Sequence, residues 1–343
     1  MTELDRRKIF SSPMQLTWAL LVFTIILVTI LFLTWIDRSS SSIELANNNS
    51  KPSIDPALPA FHLGIIPERN IFAQRKRYLA LAGYLEMNLN RRTELVTDNT
   101  YLAVLKDYAK KQLDGAFLGS LVAVLSMDRF GAKVCAKPVT TNGVSTYRGV
   151  IFVRADSSIH SLNDLAGKTI AMVRATTAGD LYPMYEMKQH NLLHADNQPI
   201  ITWMGTHDTV IREVAEGNFD AGAAKDLRLD AYSADPNAVP IRRLAIGPAV
   251  PNNALVLSAQ VTEDEYRTMT DLLLHMDSTP EGRSVLAQLG FNRFIPCKPS
   301  EYRPVMDMID ALGADWDVLE IDGDRPNTFR EKYLNDKHNN EDK

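Results

Sequence analysis

A chain of 343 residues, 45% hydrophobic and 23% charged, has room for about two ordinary domains with buried cores. Its net charge of -5 excludes the basic face of a nucleic-acid binder, so no nucleic-acid partner is expected; small anions held by local donors stay open. The two cysteines, Cys135 and Cys297, are far apart and form no C-x-x-C pair, which excludes a zinc or redox motif and leaves both a disulfide and two buried thiols open.

The N-terminal residues 1–13 carry Arg6, Arg7 and Lys8, and an uncharged run of 21 residues, Leu16–Ile36, follows with Trp18 and Trp35 near its ends. About 20 apolar residues cross a bilayer as a helix, and basic residues before such a span keep the N-terminus cytoplasmic. The expectation is a single-pass inner-membrane anchor over 14–36, with the body in the periplasm or outside the cell. A cleaved signal peptide is the competing reading, but its apolar core is shorter, about 7 to 15 residues, and no A-x-A site follows here. Residues 37–60, rich in Ser, Asn and Pro, read as a flexible tether.

From Phe61 short apolar runs alternate with amphipathic stretches: "FHLGII", a helix through "YLALAGYLEMNL", "TELVT", a helix through "LAVLKDYAKKQL", then "GAFLG". The pattern resumes with "RGVIFV", "KTIAMV", "PIITWM", "FDAGAA", "RRLAIG" and "NALVLS". Such alternation predicts an α/β fold with a largely parallel sheet. The last 80 or so residues read as mainly helical, and 331–343 form a polar tail. No G-x-G-x-x-G, G-x-S-x-G, H-E-x-x-H or EF-hand loop occurs, so no catalytic residue, cofactor or metal is expected. "AGKT" at 166–169 fails as a phosphate loop, because Leu162 stands where its first glycine belongs and Lys168 and Thr169 open a strand.

One junction has the chemistry of a binding site. In "VRATTAG", Val173–Gly179, two threonines stand where a strand hands over to a helix, and free N–H groups and the positive helix end suit an oxyanion there. A threonine N-cap explains the same residues.

Taken together, "LGIIPERN", "QLDGAFLGS", "YRGVIFVRADSSIHSLNDLAGKTIAMV", "TTAG", "GTHDTVIREVAEGNFDAGAA" and "PEGRSVLAQLGF" make the chain resemble the phosphonate/phosphite/phosphate-binding subunits of ABC transporters, a branch of the type II periplasmic binding proteins. The resemblance spans about Phe61 to Phe294. It implies a two-lobe fold joined by hinge strands, with lobe one at 61–153 and 253–330 and lobe two at 154–252. It makes Thr176 and Thr177 oxyanion ligands and puts Ala178 where the family usually has a serine, so one hydroxyl is missing. Arg174 lies outside the family pattern and either compensates with its charge or faces solvent. Tyr101 from the first lobe, Tyr147 before the first crossing strand and His207 from the second lobe complete the phosphonate end, with Asp208 as the cap of the following helix. At the other end "AAKDL" and "VPNNAL" offer Lys225, Asp226 and Asn253, and Asp226 is the one carboxylate available to a ligand ammonium. The implied function is a membrane-anchored solute-binding protein that is not an enzyme, capturing a small phosphorus oxyanion for the permease of an ABC importer. The alternative is a sensor of the same fold that presents its ligand to a membrane signalling partner.

The anchor has a direct test. The chain should stay with membranes through high-salt washing, its body open to protease from the outer side; a soluble mature chain beginning in the serine-rich tether would show cleavage instead.

Overall fold

The computed structural model describes residues 27–29, 58–68, 71–194 and 196–313. The anchor expected at 14–36 lies, but for a helical fragment at 27–29, outside the described residues, as do the N-terminus, nearly all of the tether and the tail. Among the described residues no helix is long and apolar enough to cross a membrane.

Two sheets organise the body. The first has six strands in the order β13-β4-β12-β3-β1-β2, built from β1 (Phe61–Ile65), β2 (Thr93–Thr97), β3 (Gly115–Leu118), β4 (Lys133–Thr140), β12 (Ala254–Leu257) and β13 (Phe291–Pro296). The second has five, in the order β10-β6-β9-β7-β8, from β6 (Gly149–Arg154), β7 (Thr169–Val173), β8 (Ile200–Met204), β9 (Ala221–Lys225) and β10 (Ile241–Ile246). Between them β5 (Thr146–Tyr147) pairs antiparallel with β11 (Val250–Pro251), where the chain crosses from one lobe to the other and back.

Both sheets are mixed, against the expectation of a largely parallel one. β1 runs parallel to β2 and β3, and β7 runs parallel to β8 and β9, an arrangement that helical crossover connections allow. The strands next to a crossing, β6 and β12, enter antiparallel to β9 and β3. β6 belongs wholly to the second sheet, so the first crossing lies at Tyr147 and Arg148, ahead of the 153/154 boundary drawn from the sequence. β4 and β13, absent from the sequence reading, pair with each other at the edge of lobe one.

Helices cover both sheets. Those that matter below are α2 (Tyr101–Ala109) and α3 (Ser120–Phe130) in lobe one, and α4 (Tyr182–Gln189), α5 (His207–Ala215) and α6 (Asp226–Ser233) in lobe two. α5 buries Val210, Ile211 and Val214 on one face, the spacing of an amphipathic helix against a sheet. Its cap is Thr206, whose hydroxyl accepts from the Thr209 amide at 3.1 Å; Asp208, expected in that role, is held by Arg228 instead.

At the crossing, the fully buried ring of Tyr182 lies against bare backbone. A Cβ at Gly149 would stand 2.6 Å from Tyr182 Cδ1, and one at Gly247 would stand 2.7 Å from Tyr182 Cδ2. The Gly247 amide meanwhile donates to the Gly149 carbonyl at 2.9 Å. Neither glycine has room for a methyl group, and overpacking of this kind costs about 1–3 kcal/mol. Gly149→Ala should therefore lower the urea midpoint by that equivalent, at unchanged slope; an unchanged midpoint would mean that Tyr182 moves aside freely.

Candidate functional site

Helix α3 begins without a cap of its own. Gly119 occupies the N-cap position and makes no side-chain bond, so the first amides of the helix look elsewhere for acceptors. The Ser120 amide donates to the Tyr147 hydroxyl at 3.3 Å, and the Leu121 amide donates to Thr177 Oγ1 at 2.8 Å. Tyr147 stands at the crossing and Thr177 in lobe two. The positive end of a lobe-one helix is thus closed by hydroxyls from outside its lobe. A hydroxyl carries one proton and can accept as well, so both side chains keep a proton to donate onward.

The Thr176 hydroxyl differs from that of Thr177. It accepts from the Gly179 amide at 2.9 Å and donates to the Val173 carbonyl at 2.9 Å, which makes it the N-cap of the turn Thr177–Leu181. Its proton is engaged within the chain, whereas the oxyanion-ligand role expected from the sequence would need it free. The turn is held from behind. Ala175 has a φ of 59°, a left-handed conformation unusual for a residue with a Cβ, and its amide donates to the buried Asp180 carboxylate at 2.8 Å. Burial pushes the Asp180 carboxyl up to about 6. Ala178 packs in the core. Arg174 stacks on Trp203, 4.8 Å from the ring centroid, on the outer strand β8.

Across the cleft, Glu68 follows β1 in lobe one and Lys225 ends β9 in lobe two. Their side chains are 17% and 5% exposed and form an ion pair at 2.8 Å. Asn252 Oδ1 at 2.9 Å and Asn253 Oδ1 at 3.4 Å accept further hydrogens of the same ammonium, which lies 4.3 Å from the Tyr147 ring centroid. Burial alone would raise the Glu68 carboxyl; the Lys225 ammonium outweighs it and holds the group at about 2.

Tyr101 opens α2 in lobe one and His207 opens α5 in lobe two, and their ring centroids are 6.3 Å apart. Tyr101 Oη and His207 Nδ1 are buried without a hydrogen-bond partner, an arrangement that costs stability unless something else supplies the partner. Burial pushes the His207 imidazole down to about 3, the Glu68 charge opposing and the Lys225 and Arg228 charges adding to it. The Tyr101 phenol is raised well above its ordinary value, first by burial and then by Glu68. Both groups are neutral dipoles at physiological pH.

The structure therefore brings Tyr101, Tyr147, Thr177, His207 and Asn253 to one junction. Asp226 is not among them: its carboxylate turns back to accept the Leu227 amide at 2.7 Å at the start of α6. Glu68, Lys225, Asn252 and the Ser120 and Leu121 amides join the cluster without having been assigned a ligand role from the sequence. A glycine and a serine ahead of an apolar helix, in "FLGSLVAVL", were the signal for the amides. Glu68 lies in "LGIIPERN", one of the stretches that carry the resemblance, but no role was read from it.

Residues 63–302 match the family model for the ABC transporter phosphonate periplasmic substrate-binding protein. The chain belongs to this family. Its members are substrate-binding components of transporters rather than enzymes, and the family places the body outside the cytoplasm. The phosphonates-binding periplasmic protein of Escherichia coli (strain K12) is 23% identical over 256 residues, covering 73% of this chain and 75% of that relative. A binding protein component of an ABC phosphonate transporter from Pseudomonas aeruginosa shares the fold with a TM-score of 0.66 at 17% identity, over 81% of this chain and 95% of that one. PhnD1 from Prochlorococcus marinus, solved in complex with methylphosphonate, gives 0.63 at 19% identity over 75% and 97%. These likenesses establish the two-lobe periplasmic-binding-protein fold.

Two depressed pKa values give this binding protein a defined acid response. The unfolded chain protonates His207 near 6.5 and the folded one near 3, so as pH falls through that window the unfolded state binds the extra proton and stability drops. Glu68 adds stability above its ordinary value of 4.5 that is lost as pH falls toward 2. Urea midpoints should thus decline steadily from pH 7 to pH 4, and His207→Asn should flatten the upper part of that decline. An imidazole of His207 titrating near 6.5 by NMR would contradict the buried, neutral assignment.

Proposed function

We propose that the protein captures a small phosphorus oxyanion (phosphonate, phosphite or phosphate) outside the cytoplasmic membrane and delivers it to the permease of an ABC importer, held at the membrane by a helix over 14–36. The observation that carries the ligand reading is the meeting of Tyr101 and His207 from opposite lobes, each with a buried polar atom lacking a partner, beside the N-terminus of α3. An oxyanion needs donors, and this junction supplies them without a net charge. Support comes also from the phosphonates-binding name of the Escherichia coli relative and from the methylphosphonate held by the Prochlorococcus marinus protein.

In this reading Tyr101, Tyr147 and Thr177 donate hydroxyl protons to the oxyanion and His207 donates a ring N–H. The Ser120 and Leu121 amides act through the two hydroxyls they donate to, so the α3 dipole reaches the ligand by relay. Thr176 keeps the turn in shape, Ala178 fills the core behind it, and Asn253 holds Lys225. A ligand that bonds to both lobes stabilises the closed hinge form over the open one, which is the state difference a permease can read.

Calorimetry on the full chain with methylphosphonate, phosphite and phosphate tests the reading, with sulfate as the control. Thr177→Val removes a hydroxyl that bonds both lobes, and hydrogen bonds to charged groups contribute about 1.5–3 kcal/mol, so affinity should fall about tenfold to a hundredfold. Thr176→Ala should instead cost about 1 kcal/mol of stability as a lost cap, with a smaller effect on affinity. The reverse ranking of the two variants would reassign the ligand to Thr176.

A further inference from the structure

The carboxylates that act most strongly on the Tyr101 and His207 rings, Glu68 and Asp208, are each paired with a cation of the chain, and those at the neighbouring helix starts turn to backbone amides. Asp208 accepts from the Arg228 guanidinium at 2.7 and 2.8 Å, Asp226 accepts from the Leu227 amide, and Asp180 accepts from the Ala175 amide. Glu68, the carboxylate that reaches the cluster from lobe one, is matched by Lys225. The lysine ammonium is held on three sides, by Glu68, Asn252 and Asn253, and its fourth neighbour is the face of Tyr147, whose hydroxyl belongs to the donor set. A ligand bound at Tyr101, Tyr147 and His207 therefore has a fixed positive charge for a neighbour. If it carried an ammonium of its own, that group would meet a like charge and no free carboxylate, and a buried charge without a partner is strongly unfavourable.

We propose that Lys225 determines specificity by occupying, with the chain's own ammonium, the place of a cationic substituent on the ligand, so that the site accepts amine-free phosphonates or phosphate and rejects aminoalkyl phosphonates. Glu68 is the other half of the device. Removing the lysine charge frees this carboxylate inside the cleft, and it becomes a receptor for exactly the ligand class the native protein excludes. The inference rests on the oxyanion reading given above and specifies the ligand class of that same site.

Matched ligand pairs isolate the charge. 2-Aminoethylphosphonate and n-propylphosphonate differ by an ammonium in place of a methyl group, as do aminomethylphosphonate and ethylphosphonate. Calorimetry on the full chain should show the alkyl member of a pair binding at least about tenfold more tightly, the ratio expected when a buried charge goes unpaired. Lys225→Met, which keeps the apolar stem, should shift the ratio toward the amine by at least about tenfold. The double variant Glu68→Gln, Lys225→Met carries neither charge and should return the preference to the alkyl member; Lys225→Gln, which keeps a hydrogen-bond donor but no charge, serves if Lys225→Met fails to fold and should shift the ratio the same way. Equal binding of both members by the native protein, or a ratio that Lys225→Met leaves unchanged, overturns the inference. So does binding of phosphate with neither member of either pair, since the cleft would then hold nothing beside the oxyanion for Lys225 to select. Failure to bind methylphosphonate, phosphite and phosphate alike would instead sink the functional reading itself.

Discussion

A buried carboxylate must find a cation or give up its charge, and Glu68 finds its cation in the opposite lobe. The bond to Lys225 spans the cleft, so the closed arrangement of the lobes and the charged state of Glu68 depend on each other. Opening the hinge separates the pair and returns both ions to water, which removes the attraction but also the desolvation cost. The two terms are of similar size for buried pairs. Such a contact therefore fixes the register of the lobes at little net gain in stability. Asn252 and Asn253 follow β11 at the crossing and hold the lysine from the hinge side.

The same economy governs the helix ends. Four of the described α-helices carry a local side-chain cap: Thr100, Thr206, Thr262 and Thr279 each accept from an amide three residues on. Helix α3 has none, and its leading amides turn to Tyr147 and Thr177. A helix that completes its cap only through another lobe is coupled to closure. Its dipole is available to whatever lies between the lobes, and local capping would have removed that coupling.

How far the sequence could be read depended on whether the cause of a feature lay nearby in the chain. The strands in "KTIAMV" and "GAFLG" hold unbroken buried runs, Ile170–Val173 and Gly115–Leu118, and read directly from composition. β4 and β13 did not. β4 carries Pro138, which faces Phe294, and β13 ends in Pro296, so each looks interrupted when read alone and is stabilised only by the partner strand. Thr176 and Thr177 illustrate the same limit within the candidate site. Adjacent threonines at a helix start look equivalent; what separates them is the Leu121 amide, supplied from far away in sequence. Asp208 was misread as a cap for a similar reason, since only the fold brings Arg228 to it. The family resemblance supplied Tyr101, Tyr147 and His207, whereas the role of Glu68 appears only in the ion pair with Lys225 of the other sheet.

Charge balance within the junction constrains how any anion could be held there. Glu68 cancels Lys225, Asp208 cancels Arg228, and His207 is neutral across the physiological range, so the formal charges near the Tyr101 and His207 rings sum to zero. An anion at that point is met by dipoles: phenol and threonine hydroxyls, an imidazole N–H, and the end of α3. Attraction from dipoles falls off faster with distance than attraction from a net charge, so it acts on a ligand already in the cleft and little on one approaching from solution. A protein with a net charge of -5 does not gain by long-range steering of anions in any case. In the proposed reading, selection then operates at contact, through the number and direction of donors and through the place taken by the Lys225 ammonium. In the reading proposed above, a ligand that bonds Tyr101 and His207 at once requires the two lobes to be in register, so recognition and closure would be a single event.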